Sequence, residues 1–175
     1  MIAVLAGGVG AARFLRGVVR IPGARDVTVI VNTGDDTVMH GLHISPDIDT
    51  VTYTLAEAID PQRGWGLAEE SWVAMENLGR FTSVRPDGSS AGQTWFNLGD
   101  RDLATHLYRT ARLGEGATLA DVTEELARAW DLPVRVVPMT NDRVRTMVTR
   151  ADNPGETEIS FQEYFVKLRH DVPVK

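Results

Sequence analysis

Four aspartates stand within fifteen positions of this chain: Asp35 and Asp36 in "VNTGDD", Asp47 and Asp49 in "SPDIDT". Two carboxylates about 5 Å apart repel by roughly 3 kcal/mol at an effective dielectric of about 20. A fold that gathers several must screen them, protonate one, or bind a cation. Magnesium suits the last option, because it takes one or two carboxylates plus phosphate oxygens and keeps waters. Solvated loop and helix-cap aspartates are the other reading, and spacing alone leaves both open. His40 and His43 lie between the two pairs as His-x-x-His. The segment lacks a helical pattern and no thiolate or third histidine is near, so zinc is disfavoured. A role on a phosphate, the orientation of an aspartate, or a plain structural histidine fits better.

Two further runs have the same polar density. "FNLGDRDLATH" carries Asn97, Asp100, Arg101, Asp102 and His106, and "PMTNDRVRT" carries Thr140, Asn141 and Asp142. Ahead of them all, "LAGGVGAARF" offers Gly7, Gly8, Gly10 and Arg13. Glycine lets the backbone approach a ligand closely, and a helix N-terminus favours an anion. With Gly8 and Gly10 as the first pair of a dinucleotide fingerprint, the third glycine position holds Arg13; no Lys-Ser/Thr follows, so the turn is not a Walker A loop. Arg13 could add a two-pronged phosphate contact. A tight turn without a ligand is the alternative.

The elements that must position these groups read as follows. "MIAVLA" is a buried strand, "ARFLRGVVR" a helix and "DVTVIVN" a β-branched second strand, the opening of a doubly wound α/β fold. In such folds ligands bind at the carboxyl edge of the sheet, where Asp35 and Asp36 fall. Asp49 is placed to cap a helix over "TVTYTLAEAI". "LAEESWVAMENLGRF", "DLATHLYRTARL" and "LADVTEELARAW" read as helices, the last capped by Thr118 with Asp121. "VRVVP" reads as a strand, "SVRPDGSSAGQT" as a loop, the segments flanking "ADNPGE" as a hairpin, and "FQEYFVKLRH" as a short final helix. The expectation is a Rossmann-like, mostly parallel sheet with helices on both faces and a small hairpin near the C-terminus.

Bulk properties narrow the class. At 175 residues, one domain can bury roughly 70% of its unfolded surface. A net charge of −6 argues against a broad nucleic-acid-binding face. The absence of cysteine excludes disulfides, thiol nucleophiles and thiolate metal sites. The apolar start is too short for a membrane span and lacks a signal peptide's basic flank, so a cytoplasmic protein is expected.

"LAGGVGAARFLRG", "VNTGDD", "GLHISPDIDTVTYTLAEAIDPQRGWG", "LGDRDLATHLYRT", "PMTNDRVRT" and "FQEYFV" together resemble, in order, the 2-phospho-L-lactate transferase family of coenzyme F-420 biosynthesis. The resemblance implies transfer of a phospholactyl or phosphoenolpyruvyl group from its guanosine diphosphate ester to the terminal hydroxyl of the deazaflavin Fo, with release of GMP and a requirement for Mg2+. "GWG" and "GDRDLATH" look similar to the actinobacterial, phosphoenolpyruvyl branch.

The resemblance also implies site residues. Asp49 matches the aspartate that contacts Fo. Asp36 and Asp49 are the expected catalytic pair. Gly8, Gly10 and Arg13 would hold phosphates; Asn97 stands where some members have a basic residue near Fo, and it joins His43 and Asp100 of the polar runs as an expected substrate-binding residue. Asp36, Asp49 and Asp142 are the expected metal ligands, with Asn141 where the family has an aspartate. A homodimer is what the family suggests. The family runs longer, so residues 1–175 are expected to be one α/β domain, the front part of a transferase. A nucleotide-sugar-binding regulator similar to gluconeogenesis factor is the alternative from another class. A nicotinamide dehydrogenase fits poorly, since Asn32 stands where an acidic residue should end the second strand.

Overall fold

Residues 1–21, 23–152 and 158–174 are described by a computed structural model. Its centre is a parallel sheet of β1 (Ile2–Ala6), β2 (Val27–Val31) and β5 (Arg135–Pro138), in the order β1-β2-β5. The register pairs Ala6 with Val31 and Val31 with Pro138, so three strand ends finish level with one another. β2 explains the arrangement best. Its sequence, VTVIV, is β-branched throughout, and Val27, Val29 and Val31 are buried while Thr28 and Ile30 are only half-buried. Burying each valine contributes about 1.5–3 kcal/mol.

The buried face packs against helices α1 (Gly8–Val18), α2 (Pro46–Leu55) and α5 (Leu119–Ala129), through Ala12, Leu15, Ile48, Val51, Leu55 and Leu119. α2 is buried on every side from Ile48 to Leu55. That is why the polar residues at its start are held so firmly. A second, smaller cluster of Ile44, Met75 and Leu98 lies under the loops. The α/β class and the parallel sheet are as expected. On the other face of the sheet, Leu5 is 80% exposed, and no buried cluster covers that face among the described residues.

Four local expectations change. The stretch between Asp36 and Ser45 is a hairpin, β3 (Thr37–Met39) with β4 (Leu42–Ile44). His40 (φ 53°) and Gly41 (φ 76°) make its two-residue turn, the left-handed pair that a tight hairpin needs. α2 begins three residues before Asp49, with Pro46 in its first turn, where proline's fixed φ suits a helix start. Asp47 and Asp49 therefore both lie inside the first turn, and neither is a cap. α3 (Val73–Gly79) is shorter than its amphipathic pattern, because the residues before it form an anchored loop and Arg80–Ser83 tighten into a 3-10 turn. The final helix is a π-helical turn over Glu163–Lys167. α4 (Asp102–Gly114) and the Thr118–Asp121 capping box of α5 are as read. The C-terminal hairpin pairs β6 (Met147–Thr149) with β7 (Glu158–Ser160). Residues 153–156 of "ADNPGE", and residue 157 after them, lie outside the described residues.

Candidate active site

The site begins where β1 and β2 end. Gly8 has φ +50° and opens α1. A Cβ on Gly8 would stand 2.7 Å from Oδ1 of Asp47. The turn is glycine because the Asp47 carboxylate rests against it. Asn32, directly after β2, holds Asp47 in that place: its Nδ2 donates to Asp47 Oδ2 at 2.8 Å, and its Oδ1 accepts from the Gly34 amide at 3.0 Å. An aspartate thus takes the anion-favouring position at the helix start. A phosphate arriving there would meet this carboxylate and needs a cation between them.

Asp35 and Asp36 lie beside Asp47. Burial raises the pKa of Asp35, and Asp47 raises it further. Burial also raises Asp47, against the bond from Asn32. Asp36 is pushed up to about 7, chiefly by burial, although Ser45 Oγ donates to its Oδ2 at 2.7 Å. Its Oδ1 is buried without a partner among the described residues. Asp35 and Asp47 have no cationic partner among the described ion pairs.

Asp49 is different. It is buried, and Arg109 of α4 grips both its oxygens, with Nη1 at 3.2 Å from Oδ2 and Nη2 bonded to Oδ1. Burial pushes the Asp49 carboxyl up; the Arg109 and His106 charges oppose it. Arg109 Nη1 also donates to the His43 carbonyl at 3.3 Å, tying β4 to the start of α2. His106 Nδ1 is 3.8 Å from Asp49, and its Nε2 is 3.3 Å from Asp102 Oδ2 without hydrogen-bond alignment. Tyr53 Oη donates to Asp102 Oδ1 at 2.5 Å. Asp102, His106 and Arg109 are spaced i, i+4, i+7, so one face of α4 delivers all three. The start of α4 is itself fixed by Glu70, which accepts from the amides of Arg101 and Asp102 at 2.8 and 2.9 Å.

Asp49, Asp102 and His106 offer ligand atoms within 4.8 Å of one another and could hold a metal ion. Filling that position would pull Asp49 from Arg109 and set a second cation beside a buried guanidinium. Asp35 and Asp47 fit a hard cation better: both offer oxygen, both are destabilised as anions by burial, and neither is neutralised.

A cavity of about 440 Å3 joins these parts. Gly8, Asp35, Asp47 and Asp49 line it together with Asp102 and His106. Its apolar wall is aromatic, with Trp65, Phe96, Phe161 and Phe165, and Asn97 stands among them. A second cavity of about 410 Å3 is lined by Asp36, His43, Arg109, Asn141, Asp142 and Arg143. The residues expected to share a metal are therefore divided: Asp49 is on the first cavity, Asp36 and Asp142 on the second. His43 faces the second cavity too; burial and the nearby Arg143 and Arg109 lower its pKa. Asp100 caps α3, accepting from Ser71 Oγ at 2.5 Å and from the amides of Val73 and Ala74 at 2.9 and 3.0 Å. Gly10 is exposed, with no atom within 4 Å of a Cβ built on it. Arg13 is exposed, and its Nη2 lies 3.5 Å from a Cβ built on Gly64.

Reading the sequence did not single out Asn32, Tyr53, Trp65, Arg109, Phe161 or Phe165 as site residues. Arg109 could have been found: an arginine one turn beyond a buried-face Asp-x3-His is on the same stripe. The aromatic residues come from segments far apart in the chain and carry no spacing signal.

The family model described as "2-phospho-L-lactate transferase CofD" matches residues 2–175. A phosphoenolpyruvate transferase of Nocardia farcinica is 49% identical over 98% of this chain and 50% of its own length. Proteins of the same name from Streptomyces avermitilis and Mycobacterium bovis are 47% and 44% identical, over 98% of this chain and 51% and 54% of theirs. The chain spans about half the length of the curated relatives it matches. Among solved structures, a UPF0052 family protein from Bacillus halodurans superposes with a TM-score of 0.51 at 16% identity, over 99% of this chain and 49% of that one. That likeness concerns the fold alone.

Proposed function

The chain belongs to the 2-phospho-L-lactate transferase CofD family, and on that premise we propose that it is the front portion of a cytoplasmic phosphoenolpyruvyl transferase. Its donor is a guanosine diphosphate ester, its acceptor the terminal hydroxyl of Fo, and its products the deazaflavin phosphodiester and GMP. The enolpyruvyl form is preferred to the phospholactyl form because the relatives with 44–49% identity are named phosphoenolpyruvate transferases.

One observation carries this reading. A single cavity brings a glycine-opened helix start, unneutralised carboxylates and an aromatic wall together. Phosphoryl-type transfer asks the protein for positioning and charge neutralisation and needs no protein nucleophile. Asp35 and Asp47 would hold a magnesium ion, which supplies neutralisation of the diphosphate when bound. Gly8 leaves room for the Asp47 carboxylate at the α1 N-terminus, where the ion would meet the phosphates. Asp49, paired with Arg109, accepts a hydrogen bond from the acceptor hydroxyl and orients it. The aromatic wall takes the deazaflavin and excludes water from the reacting end.

The test uses a chimera of residues 1–175 joined to the remaining half of the Nocardia farcinica relative. Given Fo, the enolpyruvyl donor and magnesium, it should form the phosphodiester and GMP, read by mass spectrometry. A folded chimera that forms neither, beside an active intact relative, would overturn the proposal.

A further inference from the structure

In the loop between α2 and α3, Asp60 and Arg63 hold the turn that displays one indole. Trp65 is 44% exposed and lines the first cavity. Gly64 (φ +75°) and Gly66 (φ +67°) flank it, a left-handed pair that swings the intervening side chain outward. Asp60 gathers the loop: its Oδ1 accepts from the amides of Gln62 and Arg63, each at 2.9 Å, and its Oδ2 is 3.0 Å from Arg63 Nη1. Arg63 Nη2 donates to the Leu67 carbonyl at 2.8 Å. Its guanidinium carbon lies 5.5 Å from the Trp65 ring centroid and 5.3 Å from that of Trp72. Such cation–π contacts fix an indole that would otherwise turn away from water. The cavity's other rings are ordered as well: Phe165 stacks at 5.5 Å on both Phe161 and His170. Yet Phe165 is 53% exposed. A part-exposed indole held by a neighbouring guanidinium on the wall of a cavity marks the place of a flat apolar ligand.

From this geometry we infer that Trp65 is the stacking platform for the planar heteroaromatic ring of the acceptor, and that Arg63 is its positioning residue. The inference rests on the function proposed above. It adds which group recognises the ring, while the carboxylates take the polyol end. Guanine is the other flat ring in the reaction, so GDP is titrated beside Fo.

Binding is followed in the chimera by the fluorescence of Fo. Trp65→Ala should weaken Fo roughly ten-fold or more, as loss of one stacking platform does, and Trp65→Phe should stay within about three-fold. A ribityl-free deazaflavin should compete with Fo; ribitol alone should not. Arg63→Met should weaken Fo in the native background and change nothing further in Trp65→Ala, a non-additivity that general loosening of the loop would not produce. Equal Fo affinity in folded Trp65→Ala and wild type overturns the inference and leaves the function standing. A loss of GDP affinity without loss of Fo affinity overturns the assignment to the acceptor. If the chimera carrying the native Trp65 binds no Fo, the proposed function fails and the inference falls with it.

Discussion

At the scale of single residues, the site is governed by which charges have partners. Asp36 forms no ion pair among the described residues, and burial holds its carboxyl near 7 rather than 3.8, although the Ser45 bond and the Arg109 charge lower it. The sign follows: between those values the folded state binds the proton and the unfolded chain does not, so stability falls as pH rises from about 4 to 7. The full difference is roughly 4 kcal/mol at most. Asp36→Asn should therefore stabilise the protein at pH 8 in EDTA by a few kcal/mol and not at pH 4, read from urea midpoints. A pH-independent difference would mean that the carboxylate is not buried as described. Gly8 gives a second case. Gly8→Ala should lose about 1–2 kcal/mol from its left-handed backbone alone, and it should also displace Asp47. Gly8 and the four aspartates were legible in the sequence because residue type and position after a strand pointed to them. Their division into neutralised and unneutralised groups was not, because the arginine that decides it lies sixty residues from Asp49.

At the scale of elements, α4 is unusual. It buries Thr105, His106 and Arg109 and leaves Leu107 and Tyr108 exposed. Its hydrophobic pattern announced a helix correctly but concealed which face turns inward, since apolar periodicity cannot see a polar network. Arg109→Met should strand the buried Asp49 carboxylate and cost about 3–5 kcal/mol. Adding Asp49→Leu should recover much of that loss, measured by urea denaturation of the single and double variants. An additive double variant would show that the pair is not coupled. The same logic predicts that Asp49→Asn lowers stability as well as any activity, because it leaves Arg109 half-paired. The first turn of α2 was misjudged for a local reason: Asp49 looked like a cap, while Pro46 had already begun the helix.

At the scale of the whole molecule, strand ends and α2 bring the glycine turn and the acidic segment to one edge of the sheet. That convergence was legible from the strand–turn–helix–strand order. The aromatic wall was not, because it needs the tertiary path of the loop at Trp65 and of the turn at Phe165. The one-sided core makes its own prediction. Leu5→Glu on the uncovered face should change stability by no more than about 0.5 kcal/mol, while Val29→Ala on the packed face should lose about 2 kcal/mol or more. Comparable urea midpoints for the two would contradict the layer assignment. The convergence at the sheet edge is tested most directly by a crystal of the protein soaked with manganese and a diphosphate. An anomalous peak between Asp35 and Asp47, beside Gly8, is the predicted result. A peak held instead by Asp49, Asp102 and His106, with Arg109 swung away, would contradict it.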